Sequence, residues 1–158
     1  MAPKDVYELL HLEDMDSNTP LLLAVKRKSP EITEVLIDKG VEVNHHNSNN
    51  IYALHMAATA GSVDVVRLLI ERGANVECRN GVNQTPLMVA AEFNHSDIIN
   101  CLLEEGGADI EARDDDGMTS LLKASSKGHV EAAQMLGRHN ADVYAVDQVN
   151  YDVIEHYH

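Results

Sequence analysis

The sequence has no tryptophan, one phenylalanine (Phe93) and five tyrosines, so aromatic residues fill only 4% of its 158 positions. A single thick core normally draws on large rings for bulk. Their scarcity, within a hydrophobic fraction of 44%, suits helices packed closely in thin layers. Cysteine is scarce too. Cys78 and Cys101 are too few for a disulfide framework or a four-ligand zinc site. Positive charge is outnumbered, with 12 Lys and Arg against 26 Asp and Glu, a formal net charge of −14. Nucleic-acid phosphates and anionic lipid headgroups would meet a negative surface, which argues against both as partners. The apolar stretches, such as residues 65–70, fall far short of the ~20 residues a bilayer crossing needs. The opening MAPKDVYELL has no apolar core of the secretory kind. The length suits one domain. The expectation is an acidic intracellular protein with no nucleic-acid partner and no direct membrane insertion.

What the chain does have is a repeat. Thr19-Pro20-Leu21, Tyr52-Ala53-Leu54, Thr85-Pro86-Leu87 and Thr119-Ser120-Leu121 recur at intervals of 33, 33 and 34 residues. A weaker copy, Asp152-Val153-Ile154, stands 33 residues further on. Ala24, Ala57, Ala90 and Ala124 keep the same steps, and Gly40, Gly73, Gly107 and Asn140 follow at 33, 34 and 33. The one longer interval comes from an extra residue in Glu104-Glu105-Gly106-Gly107, where a helix end meets a turn.

Each copy reads as helix, turn, helix, loop. In the second, a short helix is expected from Ala53 to about Ala60, broken by Gly61. Val65, Val66, Leu68, Leu69 and Ile70 then recur at the three- and four-residue spacing of one face of a second helix. Gly73 is placed to end it in the left-handed conformation, and Asn140 takes that place in the fourth copy because Asn tolerates positive φ. Pro20 and Pro86 fit the first helical turn, where the missing N–H would have been unpaired. Leu54, Leu87 and Leu121 are expected in the core.

Leu54-His55-Met56-Ala57-Ala58, Gly73-Ala74-Asn75-Val76, Asp114-Asp115-Asp116-Gly117-Met118-Thr119 and Gly128-His129-Val130 resemble the motifs of the ankyrin-repeat family. The resemblance covers roughly residues 14–154. It implies an all-α ankyrin-repeat solenoid of stacked helix-turn-helix units with β-turn fingers. Residues 1–158 then form one domain, with a partial N-terminal cap at 1–13 and repeats at 14–46, 47–79, 80–113 and 114–146. An incomplete fifth repeat occupies 147–158.

The residues suggest no catalysis. No Gly-x-Ser-x-Gly elbow and no glycine-rich phosphate loop is present. Asp114-Asp115-Asp116 lacks the spaced ligands and terminal Glu of a calcium loop. His55, His95 and His129 occupy positions where the family places structural histidines, with His55 expected to fix the fingers by hydrogen bonds. His45 and His46 are adjacent in an extended finger, so their rings are expected to point apart rather than share a metal. Cys101 reads as a core residue. Cys78 has only Arg79 beside it to activate a thiol. No cofactor, metal or catalytic residue is assigned.

What remains is surface. The resemblance implies a concave groove formed by two finger positions, the residue before the Thr, and the end of each first helix. These are Met15, Asp16, Asn18, Lys26 and Arg27; Ser48, Asn49, Ile51, Thr59 and Ala60; Gly81, Val82, Gln84, Glu92 and Phe93; and Asp115, Asp116, Met118, Ser126 and Lys127. The fold does not demand apolar side chains there, so Val82, Phe93 and Met118 suggest a contact patch. The partner-binding set is Ile51, Val82, Glu92, Phe93, Asp115, Asp116, Met118 and Lys127. Seven carboxylates between Glu104 and Asp116 are expected to face only Arg113. A protein or peptide partner with apolar anchors flanked by basic residues would suit that surface. The resemblance thus implies a non-enzymatic adaptor or scaffold, cytoplasmic or nuclear, that binds through the groove. A small inhibitor of an enzyme such as a kinase, or the cytoplasmic segment of a larger membrane channel, are the alternatives.

Overall fold

The computed structural model describes residue 10 and residues 12–147. Among them are eight helices, paired along the chain. The pairs are α1 (Pro20–Lys26) with α2 (Pro30–Asp38), α3 (Ala53–Ala60) with α4 (Val63–Glu71), α5 (Pro86–Glu92) with α6 (Ser96–Glu104), and α7 (Ser120–Lys127) with α8 (Val130–Arg138). The described residues form no strand; their β pairing is a single antiparallel bridge between His46 and Tyr52. The proposed cap over 1–13 and the fifth repeat over 147–158 lie largely outside the described residues.

The helices begin where the sequence supplies an oxygen for their open N–H groups. Thr19, Thr85 and Thr119 cap α1, α5 and α7, their hydroxyls accepting from Leu22, Met88 and Leu122 at 3.3–3.4 Å. Pro20, Pro30 and Pro86 sit in the first turn, where a missing N–H costs nothing. Each repeat also turns three times through positive φ. Ser17, Asn50, Asn83 and Gly117 hold the finger turn; Lys28, Gly61, Asn94 and Gly128 end the first helix; Gly40, Gly73, Gly107 and Asn140 end the second. Asn140, expected to stand in for glycine, does so at φ 62°.

First helices stack on first helices, α1 on α3 on α5 on α7, and second helices do likewise, so the chain builds two layers. The core runs between them, through Leu21, Leu54, Leu87, Val65, Ile98 and Leu136 among others. Two exceptions show the direction of packing. Leu121 is only partly buried, although Leu21, Leu54 and Leu87 at its phase are enclosed. Only the last described copy opens, so this position faces the next repeat in the chain. Ile32 is 55% exposed, whereas Val65, Ile98 and Ala132 at its phase are fully buried. There only the first copy opens, so this position faces the preceding repeat.

The extra residue of the third copy is absorbed without disturbing the phase. In the other copies the residue after the left-handed turn bonds five residues back: Val41 to Leu36, Ala74 to Leu69 and Ala141 to Leu136. Ala108 instead reaches six residues back to Leu102 at 3.0 Å, and Gly106 N–H donates to Cys101 O at 3.2 Å. The turn is widened by one residue, while Gly107 stays left-handed at φ 65°. Gly106 itself is hemmed in: a Cβ there would sit 2.7 Å from Leu102 O and 2.9 Å from Val76 Cγ1.

This packing makes two expectations measurable. Leu87→Ala, in an enclosed site between two repeats, should cost about 2–5 kcal/mol in urea unfolding. Leu121→Ala should cost less, and equal losses would contradict the assigned direction of packing. Deletion of Gly106 should restore the 33-residue turn and be tolerated. Gly106→Ala, through the clash with Leu102, and Gly107→Val, through about 1–2 kcal/mol of unfavourable positive φ, should each lower the unfolding midpoint.

Candidate functional site

The fingers are built from one device used four times. Asp14, Asn47, Asn80 and Asp114 share a phase, and the Oδ1 of each accepts the N–H groups two and four residues ahead at 2.9–3.1 Å. This closes the finger turn and leaves its tip in solvent. Neighbouring fingers are then tied together. Asn44, Glu77 and Glu111 accept the N–H of Asn75, Asp109 and Asp142 in the next repeat at 2.7–2.8 Å. Arg79 donates to the carbonyls of Asn83 and Arg113, and Arg113 to those of Gly117 and Val146. Gly81 N–H reaches Asn49 O at 3.1 Å.

Histidines tie the first helices to their neighbours. His55 is buried, accepts from Tyr52 N–H at Nδ1 (3.4 Å) and donates from Nε2 to Gln84 O at 2.8 Å. Burial depresses its pKa below the ordinary 6.5, because desolvation disfavours the charged ring. His95 and His129 donate to Thr59 O and Glu92 O, at 3.3 and 3.0 Å, satisfying free carbonyls at the C-terminal ends of α3 and α5. The His95 ring lies so close to Gly61 that a Cβ there would meet Cε1 at 2.6 Å. The three histidines serve the stack, as expected.

Two cavities open on the finger and first-helix side. One, of about 430 Å³, lies between the second and third fingers and is lined by residues 48–51 and by Asn80, Gly81 and Val82. The other, of about 420 Å³, is lined by Lys26, Lys28, Ile51, Met56, Thr59 and Ala60, and its wall is mainly apolar. Ile51 belongs to both.

Residues 2–80 and 75–147 match the family model described as ankyrin repeats (3 copies). The chain belongs to the ankyrin-repeat family. Comparison with curated proteins found no match. Ankyrin repeats are generally protein–protein interaction modules without enzymatic activity. Among the described residues no helix is long and apolar enough to cross a membrane. No group of three or more His, Cys, Asp or Glu there is placed to hold a metal.

On this ankyrin scaffold the residues singled out from sequence meet different fates. Ile51 is half-buried and joins exposed Val82 in the finger cavity. Phe93, at the C-cap of α5, is 50% exposed, and Met118 is half-buried; neither lines the two cavities. Glu92 and Lys127 face each other at 3.6 Å, and Glu92 also accepts from Gln84 Nε2 at 3.2 Å. Asp115 and Asp116 are exposed. The position before the Thr is less open than expected. Asn18 is buried, bonded to Asp14 and Asn47, while Ile51, Gln84 and Met118 are half-buried, because this residue closes the finger turn. Met56 and Lys28 were missed. Met56 comes directly after His55 in a core motif, and Lys28 stands at a turn position, so neither reads as groove from its phase.

The acidic turn also needs correction. Arg113 does not face the carboxylates; its guanidinium is spent on carbonyls. Five of the seven carboxylates between Glu104 and Asp116 are engaged by the fold. Glu105 pairs with Arg67 at 3.0 Å and Glu104 with His139 at 3.3 Å. Asp109 and Glu111 accept backbone N–H groups, and Asp114 holds Lys123 at 2.5 Å as well as its finger turn. Asp115 and Asp116 are left. His45 and His46, expected to point apart, instead stack with centroids 6.1 Å apart, and His45 faces Glu13 at 3.4 Å. Both thiols are buried and desolvation pushes them up, Cys78 to about 12 and Cys101 to about 11, so neither is a thiolate near neutrality.

His55 makes the inter-repeat joint sensitive to pH. Its folded pKa lies below 6.5, so above that value both states hold a neutral ring and the contribution is complete. As pH falls below 6.5 the unfolded chain takes up the proton first, and stability is lost by at most about 1.4 kcal/mol per unit. The stability difference between the wild type and His55→Gln should therefore shrink on going from pH 7 to pH 5, measured by urea unfolding. A difference independent of pH would mean that His55 is not held neutral.

Proposed function

We propose that this chain is a non-enzymatic interaction module that binds a protein or peptide partner in the groove formed by its finger tips and first-helix ends. One observation carries the reading: Phe93 and its phase. Arg27, Ala60 and Lys127 occupy that position in the other copies, so the fold accepts a charged or minimal side chain there. The third copy places the chain's one phenylalanine at it, half in water. Val82, 56% exposed on the neighbouring finger tip, is a second apolar side chain that the fold leaves open. Single exposed apolar residues are ordinary on a protein surface. These two fall together on the finger and first-helix side of the third repeat, and buried aromatic anchors carry much of the energy of protein interfaces. Ile51, Glu92, Asp115, Asp116, Met118 and Lys127 complete the proposed contact set.

The test is site-specific photocrosslinking in cell lysate. A benzophenone side chain at position 82 or 93 should trap a protein, whereas one at Val130, exposed on α8, should not. With the trapped partner purified, Phe93→Ala should cost more than about 2 kcal/mol of binding by calorimetry. Adducts from position 130 alone, or unchanged affinity in a folded Phe93→Ala, would remove the groove.

A further inference from the structure

We propose that the cavity between the first and second repeats is an acceptor for an acidic peptide, seating one apolar side chain against Ile51 and Met56 with flanking carboxylates on Lys26 and Lys28. This rests on the groove reading above and names the chemistry of its occupant. The cavity, of about 420 Å³, has room for a large aliphatic or aromatic side chain, and its wall is mainly apolar. Its two charged lining residues are both lysines, and Arg27 stands between them in the chain. All three are exposed, and among the described residues none forms an ion pair within 4 Å, Lys26 having only the longer-range attraction of Asp14 on the first finger. That is unusual company for a chain with more than twice as many acidic as basic residues. Elsewhere along the groove the cations are taken: Lys123 by Asp114, Lys127 by Glu92. An apolar pocket with exposed cations at its edge complements an apolar anchor between carboxylates, and it repels a basic one.

Backbone conformation supplies a second, independent reason. Lys28 is left-handed at φ 57°, at the phase where Gly61, Asn94 and Gly128 stand in the other repeats. A side chain without the local hydrogen bonding of Asn is disfavoured there, and residues held in sparsely populated conformations concentrate at binding sites. The strain is unneeded by the fold, since the same turn is made by Gly or Asn three times over. It does set a lysine at the mouth of the cavity.

The probe is a random twelve-residue peptide library displayed on phage, selected against the full chain. The sequences recovered should carry a Leu, Ile, Met or Phe flanked by Asp or Glu. A synthetic representative, titrated by fluorescence anisotropy, should lose about tenfold or more in affinity when its apolar residue becomes Ala, and again when its acids become Lys. Lys26→Glu combined with Lys28→Glu should abolish binding of the acidic peptide. Lys28→Asn should weaken it several-fold while leaving the unfolding midpoint equal or higher, because Asn holds the turn without strain; a purely structural Lys28 would not separate the two. Selection of basic-flanked sequences, no enrichment, or unchanged affinity in the lysine variants would overturn the assignment. Crosslinking from positions 82 and 93 would survive that failure, so the groove and its proposed ligand chemistry stand or fall separately.

Discussion

No described helix is longer than nine residues, and helices shorter than about 12–15 residues are marginal in water on their own. Every other feature answers to that constraint. A pair such as α3 and α4 presents an apolar stripe that its own two helices cannot enclose, so it must borrow a face from the pair on either side. The burial pattern records the borrowing. Val65, Ile98 and Ala132 are closed by the repeat before them, and Leu21, Leu54 and Leu87 by the repeat after. The aromatic poverty belongs to the same constraint, because two helical layers leave a thin space that Leu, Val, Ile and Ala fill without large rings.

Stacking by apolar contact alone would not set the register between repeats, and the polar groups do that. Each copy reaches the next through bonds from side chain to backbone. His55 grips Gln84 O, Arg79 grips Arg113 O, and Glu77 and Glu111 receive N–H groups of Asp109 and Asp142. These partners lie 29–34 residues apart, about one repeat. The inserted residue near Gly106 shows how strict the register is. The turn swells to a six-residue reach, yet Gly107 and the fingers beyond keep their places. What the register leaves largely open is the side chains at the finger tips, such as Val82, Asp115 and Asp116, and Phe93 at the end of a first helix. Function is free to vary there.

Much of this was legible from residues. The 33-residue phase, Thr and Pro at helix starts, Ala53–Ala60 as a helix and Gly73, Gly107 and Asn140 at left-handed turns were readable because each comes from local chemistry repeated four times. The groove was legible only as a set of phases. Asn18 sat among the positions expected to be open yet is buried, because a side chain that closes its own turn cannot also face a ligand. Met56 was invisible as groove because its phase holds the buried Val89 in the next copy, and its exposure depends on which repeat stands beside it. Counting carboxylates near Gly106 overstated the unopposed negative charge, since counting cannot tell an acid paired with Arg67 or Lys123 from one without a cation beside it.

That distinction decides what the net charge of −14 means for recognition. A formal charge sums over the whole chain, whereas an exposed charge acts over a Debye length of about 8–10 Å in physiological salt. Glu105 beside Arg67 and Asp114 beside Lys123 are offset by their cationic partners, whereas Glu77 and Glu111 keep their charge while holding backbone N–H groups. Among the described residues, the exposed charges along the groove outside any ion pair include Asp16 on the first finger, Asp115 and Asp116 on the last described finger, and Arg27 and Lys28 after the first helix. Asp115 and Asp116 lie three repeats away from the first-helix cations, whereas Asp14 and Asp16 stand in the same repeat as those cations. The basic run after the first helix thus stands beside an acidic first finger, and the last described finger is acidic. On the proposed groove reading, with Ile51, Val82 and Phe93 as contacts, local charge and not the total would select which residue of an extended ligand meets which repeat.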